Sequence, residues 1–114
     1  MAKYLVQASY TSEGIKGVLK EGGTGRRNAV EKLVESVGGK LEAYYFALGA
    51  DDLYAIVDYP DLVAAATVSM TVAATGAAQV RTVALLTPEE IDRAAKTRVA
   101  YRSPGASKDV FRQI

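Results

Sequence analysis

The chain has 114 residues, is 49% hydrophobic and 24% charged, and carries a formal net charge of +1, which suits one domain with an ordinary core of its own. It contains no cysteine and no histidine. That composition removes thiolate nucleophiles, iron–sulfur clusters, cysteine zinc sites, the commonest metal ligand and the usual general base.

The N-terminal MAKYLVQASY has one lysine and no long apolar stretch or small-residue cleavage pattern, so no signal peptide is read there. The longest weakly polar run, residues 63–78, includes Thr67, Ser69, Thr71 and Thr75 and is too short and polar to span a bilayer. A soluble, cytoplasmic protein without membrane contact is expected. The charge is uneven: residues 1–96 hold ten Lys/Arg against twelve Asp/Glu, and residues 97–114 hold four against one. The body is slightly acidic and the tail basic, which does not predict a nucleic-acid binder, whose basic face lies on the folded body.

Lys3 to Tyr10 reads as a strand with Tyr4, Val6, Ala8 and Tyr10 on one face and Leu5, Gln7 and Ser9 on the other. Thr11 or Ser12 caps a helix in which Ile15, Val18 and Leu19 recur at helical spacing, until Gly22-Gly23 interrupts it. Thr24 is a second cap candidate, and Ala29, Val30, Leu33, Val34 and Val37 form an apolar stripe ended by Gly38-Gly39. A bent or two-part helix follows from this pattern. Lys40 to Leu48 and Asp52 to Asp58 read as a hairpin around a tip at Gly49, Ala50 and Asp51. Pro60 and Asp61 start a second helix rich in small residues, running to Ala74 and stopped by Gly76. Gln79 to Leu86 is the fourth strand. Thr87-Pro88-Glu89-Glu90 opens a short helix through Lys96, and the remainder, with Pro104 and Gly105, loses periodicity.

The order β-α-β-β-α-β predicts an α+β, ferredoxin-like sandwich: a four-stranded antiparallel sheet with helices on one face. It places one domain at residues 1–96 and a basic C-terminal extension at 97–114. Leu5, Tyr54, Ile56 and one parity of strand four leave the other sheet face substantially apolar, so a homodimer through the sheet faces is expected, with further assembly open.

Candidate chemistry is sparse. Gln7, Tyr54 and Arg81 fall on the face away from the helices and supply an amide, a phenol and a guanidinium suited to a small anionic or phenolic ligand; the competing reading has them satisfy one another across a dimer interface. Arg26 and Arg27 follow Gly22-Gly23-Thr24-Gly25, a weak anion-binding pattern that lacks the Walker ending. Asp51-Asp52 is read as a solvated hairpin tip and not as a metal site, since adjacent strand residues point to opposite faces. No catalytic residue, metal or cofactor is assigned. In the tail, Arg98, Tyr101, Arg102, Lys108, Phe111 and Arg112 suit packing on a neighbouring subunit, or docking to an acidic partner.

The segments YLVQASYT, EGIKGVLKEGGTGRR, GGKLEAYYFALGADDLYAIVDYPD and GAAQVRTVALLTPEE, in this order over roughly residues 3–95, resemble the GYD domain family of small bacterial proteins. Where that family typically carries Gly, a variable residue, Tyr and Asp at the hairpin, this chain has Gly49, Ala50, Asp51 and Asp52. The resemblance implies a dimeric α/β-barrel type of ferredoxin-like fold and no established activity. The functional expectation is a non-catalytic domain that binds a small molecule or forms an assembly. The alternative, by fold analogy, is a cofactor-independent monooxygenase-like enzyme acting on a small aromatic or anionic substrate through Gln7, Tyr54 and Arg81.

Overall fold

Alternating apolar residues in the first ten positions set the centre of the sheet. In a computed structural model describing residues 1–107 and the backbone of 110–112, β1 (Ala2–Tyr10) is followed by α1 (Ser12–Ser36), β2 (Lys40–Phe46), β3 (Leu53–Tyr59), α2 (Leu62–Ala74), β4 (Ala78–Ala84) and α3 (Pro88–Lys96). Two short strands, β5 (Val99–Tyr101) and β6 (Val110–Arg112), come last. The first four strands form one sheet in the order β2-β3-β1-β4, every neighbouring pair antiparallel. The expected α+β, ferredoxin-like βαββαβ arrangement is present, with β1-α1-β2 and β3-α2-β4 as its two crossovers.

Strand period separates the faces. Tyr4 and Ala8 of β1, and Leu53, Ala55, Val57 and Tyr59 of β3, point to the helices and are buried. Val34 of α1 and Ala64, Ala65 and Val68 of α2 close over them. Tyr4 and Tyr59 meet edge to face with ring centroids 5.4 Å apart, a favoured aromatic geometry. Val34, Val57 and Tyr59 are the largest fully buried side chains, each contributing on the order of 1.5–3 kcal/mol of apolar burial.

Local signals explain the boundaries. Thr11 caps α1 through the Gly14 N–H (3.2 Å), Asp61 caps α2 through the Ala64 N–H (2.8 Å), and Thr87 and Glu90 form a reciprocal capping box on α3. Pro60 therefore precedes the cap of α2 instead of opening its first turn. α1 is broken at Gly22, whose φ of 79° is a left-handed conformation that glycine alone takes without cost. Thr24 lies inside the second half of the helix and caps nothing. The C-terminal extension contains an element that lost periodicity concealed: β5 and β6 pair antiparallel as a separate two-stranded sheet.

From Leu86 to Ser107 every residue is exposed except the half-buried Glu90 and Ala95. The Cα radius of gyration is 18.8 Å and the principal extents are 62 × 29 × 24 Å, against ~13 Å for the radius of a compact chain of about 100 residues. The C-terminal arm thus reaches away from the sandwich. Among the described residues no helix is long and apolar enough to cross a membrane. Lys108, one of the tail residues singled out above, lies outside the described residues.

The entry to α1 is the tightest point of the fold. The Thr11 N–H donates to the Ala77 carbonyl (2.9 Å), and the Thr11 hydroxyl donates to the carbonyls of Gly76 (2.9 Å) and Ala77 (3.2 Å). A Cβ on Gly14 would lie 1.9 Å from the Ala77 oxygen, whereas one on Gly17 would meet nothing within 4 Å. Gly14→Ala is therefore expected to lower stability by about 2 kcal/mol or more through overpacking, and Gly17→Ala to raise it by about 0.5–1 kcal/mol, both read by urea denaturation.

Candidate functional site

Register arranges the helix-free face of the sheet in three rows. Tyr45, Tyr54, Gln7 and Arg81 lie side by side from β2 across β3 and β1 to β4. The next row is apolar: Ala43, Ile56, Leu5 and Val83. The third is ionic, with Lys40 and Lys3 flanking Asp58. Lys3 Nζ contacts Glu42 (2.5 Å) and Asp58 (3.1 Å), and its hydrogen bond to Glu42 first, then that to Asp58, raise its pKa above the usual lysine value.

The first row converges on a residue from outside the strands. The hairpin loop folds over the end of β1: the Asp52 N–H donates to the Ala8 carbonyl (2.8 Å), and the Tyr10 N–H donates to the Asp52 carboxylate (2.8 Å). This turns Asp51 inward until it is only 5% exposed, the single charged residue that is buried among the described residues. Its carboxylate accepts from Gln7 Nε2 (3.4 Å), Ser9 Oγ (3.0 Å), the Tyr54 hydroxyl (3.5 Å) and Arg81 Nη2. The expectation of a solvated tip is corrected for Asp51. A two-residue strand parity argument does not apply to a loop that doubles back, and four donors repay the desolvation of the carboxylate.

The structure thus brings Gln7, Tyr54 and Arg81 together, and gathers them on an internal anion. Asp51 and Ser9 are the members that sequence reading did not assign. Ser9 shares the parity of Gln7 and was legible as a neighbour; Asp51 was not, because its place depends on the loop closing over β1. Arg81 remains largely exposed, and Tyr54 is 37% exposed, so the cluster keeps an outward polar edge. Among the described residues there is no group of three or more Asp, Glu, His or Cys placed to hold a metal ion.

Arg26 and Arg27 part company. Both sit within the second half of α1. Arg27 is exposed, while Arg26 turns toward the helix side of the sheet, half-buried, with Nη1 3.1 Å from Glu21. Nearby, the hydroxyls of Tyr10 and Tyr44 are 3.5 Å apart. Burial, and secondarily the Tyr10 hydrogen bond, push the Tyr44 pKa well above its ordinary value of 10.0. Since the folded value exceeds the unfolded one, this contribution to stability is complete below pH 10.0 and disappears as alkali rises through the folded value.

Asp51→Ala is expected to destabilise the fold by about 2 kcal/mol, because it leaves several partly buried donors without their acceptor. Arg81→Met should cost less, about 1 kcal/mol at most, since the guanidinium is solvated; a double-mutant cycle in urea reads the coupling. In an alkaline titration followed at 295 nm, Tyr44→Phe should leave the tyrosinate amplitude up to pH 10.0 unchanged, because Tyr44 is held neutral there.

Comparison with known proteins agrees with this architecture. A family profile described as the GYD domain matches residues 4–95, from within β1 through nearly all of α3 and including every residue of the Asp51 cluster. No curated protein and no solved structure matches the chain. With well over half of its length matched, the chain belongs to the GYD domain family.

Proposed function

We propose that this domain works by self-assembly without catalysis, two copies pairing through their helix-free sheet faces. The observation that carries this reading is that the charged groups which frame the apolar row are neutralised within one chain. Asp51 is matched by Arg81, Lys3 bridges Asp58 and Glu42, and Lys40 lies beside Asp58 in the register, three positive charges against three negative. A second sheet laid over Leu5, Ile56 and Val83 would strand none of these charges, and stranding one is what usually makes covering such a face costly. Tyr45 (72% exposed) and Val83 (44% exposed) supply apolar area at opposite ends of the rows, of the kind that interfaces enrich.

The arm supports the same reading. It extends beyond the sandwich with Leu86, Ile91, Val99 and Tyr101 exposed, and a short amphipathic helix with no buried residue, followed by a two-stranded hairpin, suits packing on a neighbouring subunit. α2 adds further apolar area, since Leu62, Val63 and Met70 are exposed on its outer side. In this arrangement Gln7, Tyr54 and Arg81 form the polar edge of the interface, where a small molecule would be held between the paired sheets.

Sedimentation equilibrium of the wild-type chain at micromolar concentration should give a dimer or a larger species; a monomer would sink the proposal. Ile56→Lys places a charge in the centre of the apolar row and should yield a folded monomer, with weakening of at least about a hundredfold if the interface is desolvated. Truncation after Lys96 should reduce the assembly size, and an unchanged size would remove the arm from the interface.

A further inference from the structure

The helix side of the sheet holds a second feature, independent of pairing. α1 packs over β2 and α2 over β4, so the two helices diverge above the central strands. Ala8 and Ala55, small residues on those strands, do not fill the gap. The result is a cleft of about 210 Å³, with Val30 of α1 and Val72 of α2 as walls and Ala8 and Ala55 in its floor. Its lining is aliphatic apart from a few side chains, among them Tyr10, Tyr44 and Arg26.

Arg26 supplies a separate indication of an occupant. Its Nη1 is satisfied by Glu21 at 3.1 Å, but its Nε is shielded from solvent and has no hydrogen-bond partner, the single such side-chain atom among the described residues. Buried donors without an acceptor are rare in folded proteins. Tyr10 and Tyr44 share one hydrogen bond between their hydroxyls, which leaves the other hydroxyl proton of the pair free to donate.

We propose that the cleft binds a neutral molecule of one or two aromatic rings bearing a single carbonyl or phenolic oxygen, which accepts from Arg26 Nε while the rings lie between Val30 and Val72. The size follows from the volume: an apolar cavity of about 150 Å³ accommodates benzene. Neutrality follows from Glu21, which already balances the guanidinium and would repel a carboxylate placed beside it. Burial keeps the Tyr44 phenol protonated, so the Tyr10–Tyr44 pair keeps one hydroxyl proton to donate to the same oxygen. The aromatic character follows from the rings of Tyr10 and Tyr44 in the lining.

The test uses the full chain and three probes, 2-naphthol, naphthalene and 2-naphthoate, by isothermal titration calorimetry. 2-Naphthol should bind, at least about tenfold more tightly than 2-naphthoate. Arg26→Met should weaken 2-naphthol by about tenfold and leave naphthalene unchanged, the signature of one lost hydrogen bond. Val72→Phe fills the cleft and should abolish binding, with Val30→Phe as a second filling variant from the opposite wall should the first not fold. Ile56→Lys, on the other face of the sheet, should bind 2-naphthol as the wild type does, whatever its oligomeric state. Absence of 2-naphthol binding to the wild type, retention of it in a folded filling variant, or tighter binding of 2-naphthoate would each overturn the proposal.

Discussion

One buried carboxylate organises the helix-free face of this domain. Asp51 leaves the β2–β3 hairpin, turns back over β1 and accepts hydrogen bonds from β1, β3 and β4 at once. A carboxylate that is 5% exposed is tolerated only with such partners, so the loop, the central strands and the outer strand β4 are held to one another in a single register. Position 51 belongs to the loop that joins β2 to β3. Here the position is filled by a charge whose counterion, Arg81, is thirty residues further along the chain.

The two faces of the sheet solve different problems. On the helix side, Tyr4, Val57 and Tyr59 are sealed by Val34 and by the alanines of α2, and the small size of Ala8 and Ala55 leaves a cleft where the helices diverge. On the other side no element among the described residues covers Leu5, Ile56 and Val83, and the surrounding charges are balanced within the chain. A face that is apolar in its centre and neutral at its edges is one that a second sheet can cover at little electrostatic cost. The cleft and the apolar face therefore lie on opposite sides of the same strands, and both are shaped by β1, whose odd and even residues point to one or the other.

The C-terminal arm extends this logic beyond the sandwich. Its helix is stabilised locally, by the Thr87–Glu90 capping box, with the Glu90 carboxyl held below its usual range chiefly by the backbone N–H of Thr87. Its hairpin is a separate sheet of two strands. Two-stranded hairpins have little stability alone, which is the physical reason for proposing that the arm packs on another chain.

Much of this was written in the sequence. Period-two alternation in β1 and β3, the break at Gly22-Gly23, the caps at Thr11 and Thr87, and the order of elements all follow from short-range rules, because each depends on neighbours a few residues away. The face shared by Gln7, Tyr54 and Arg81 was legible for the same reason: parity within a strand is local, and the topology set which strands adjoin. What only the tertiary structure decided were the contacts between distant segments. The burial of Asp51 needed the hairpin to fold over β1; the turning of Arg26 toward Tyr44 needed the second half of α1 to lie across β2; and the cleft needed two helices to diverge over two alanines. These depend on how packed elements meet in space, which composition and periodicity along the chain do not encode.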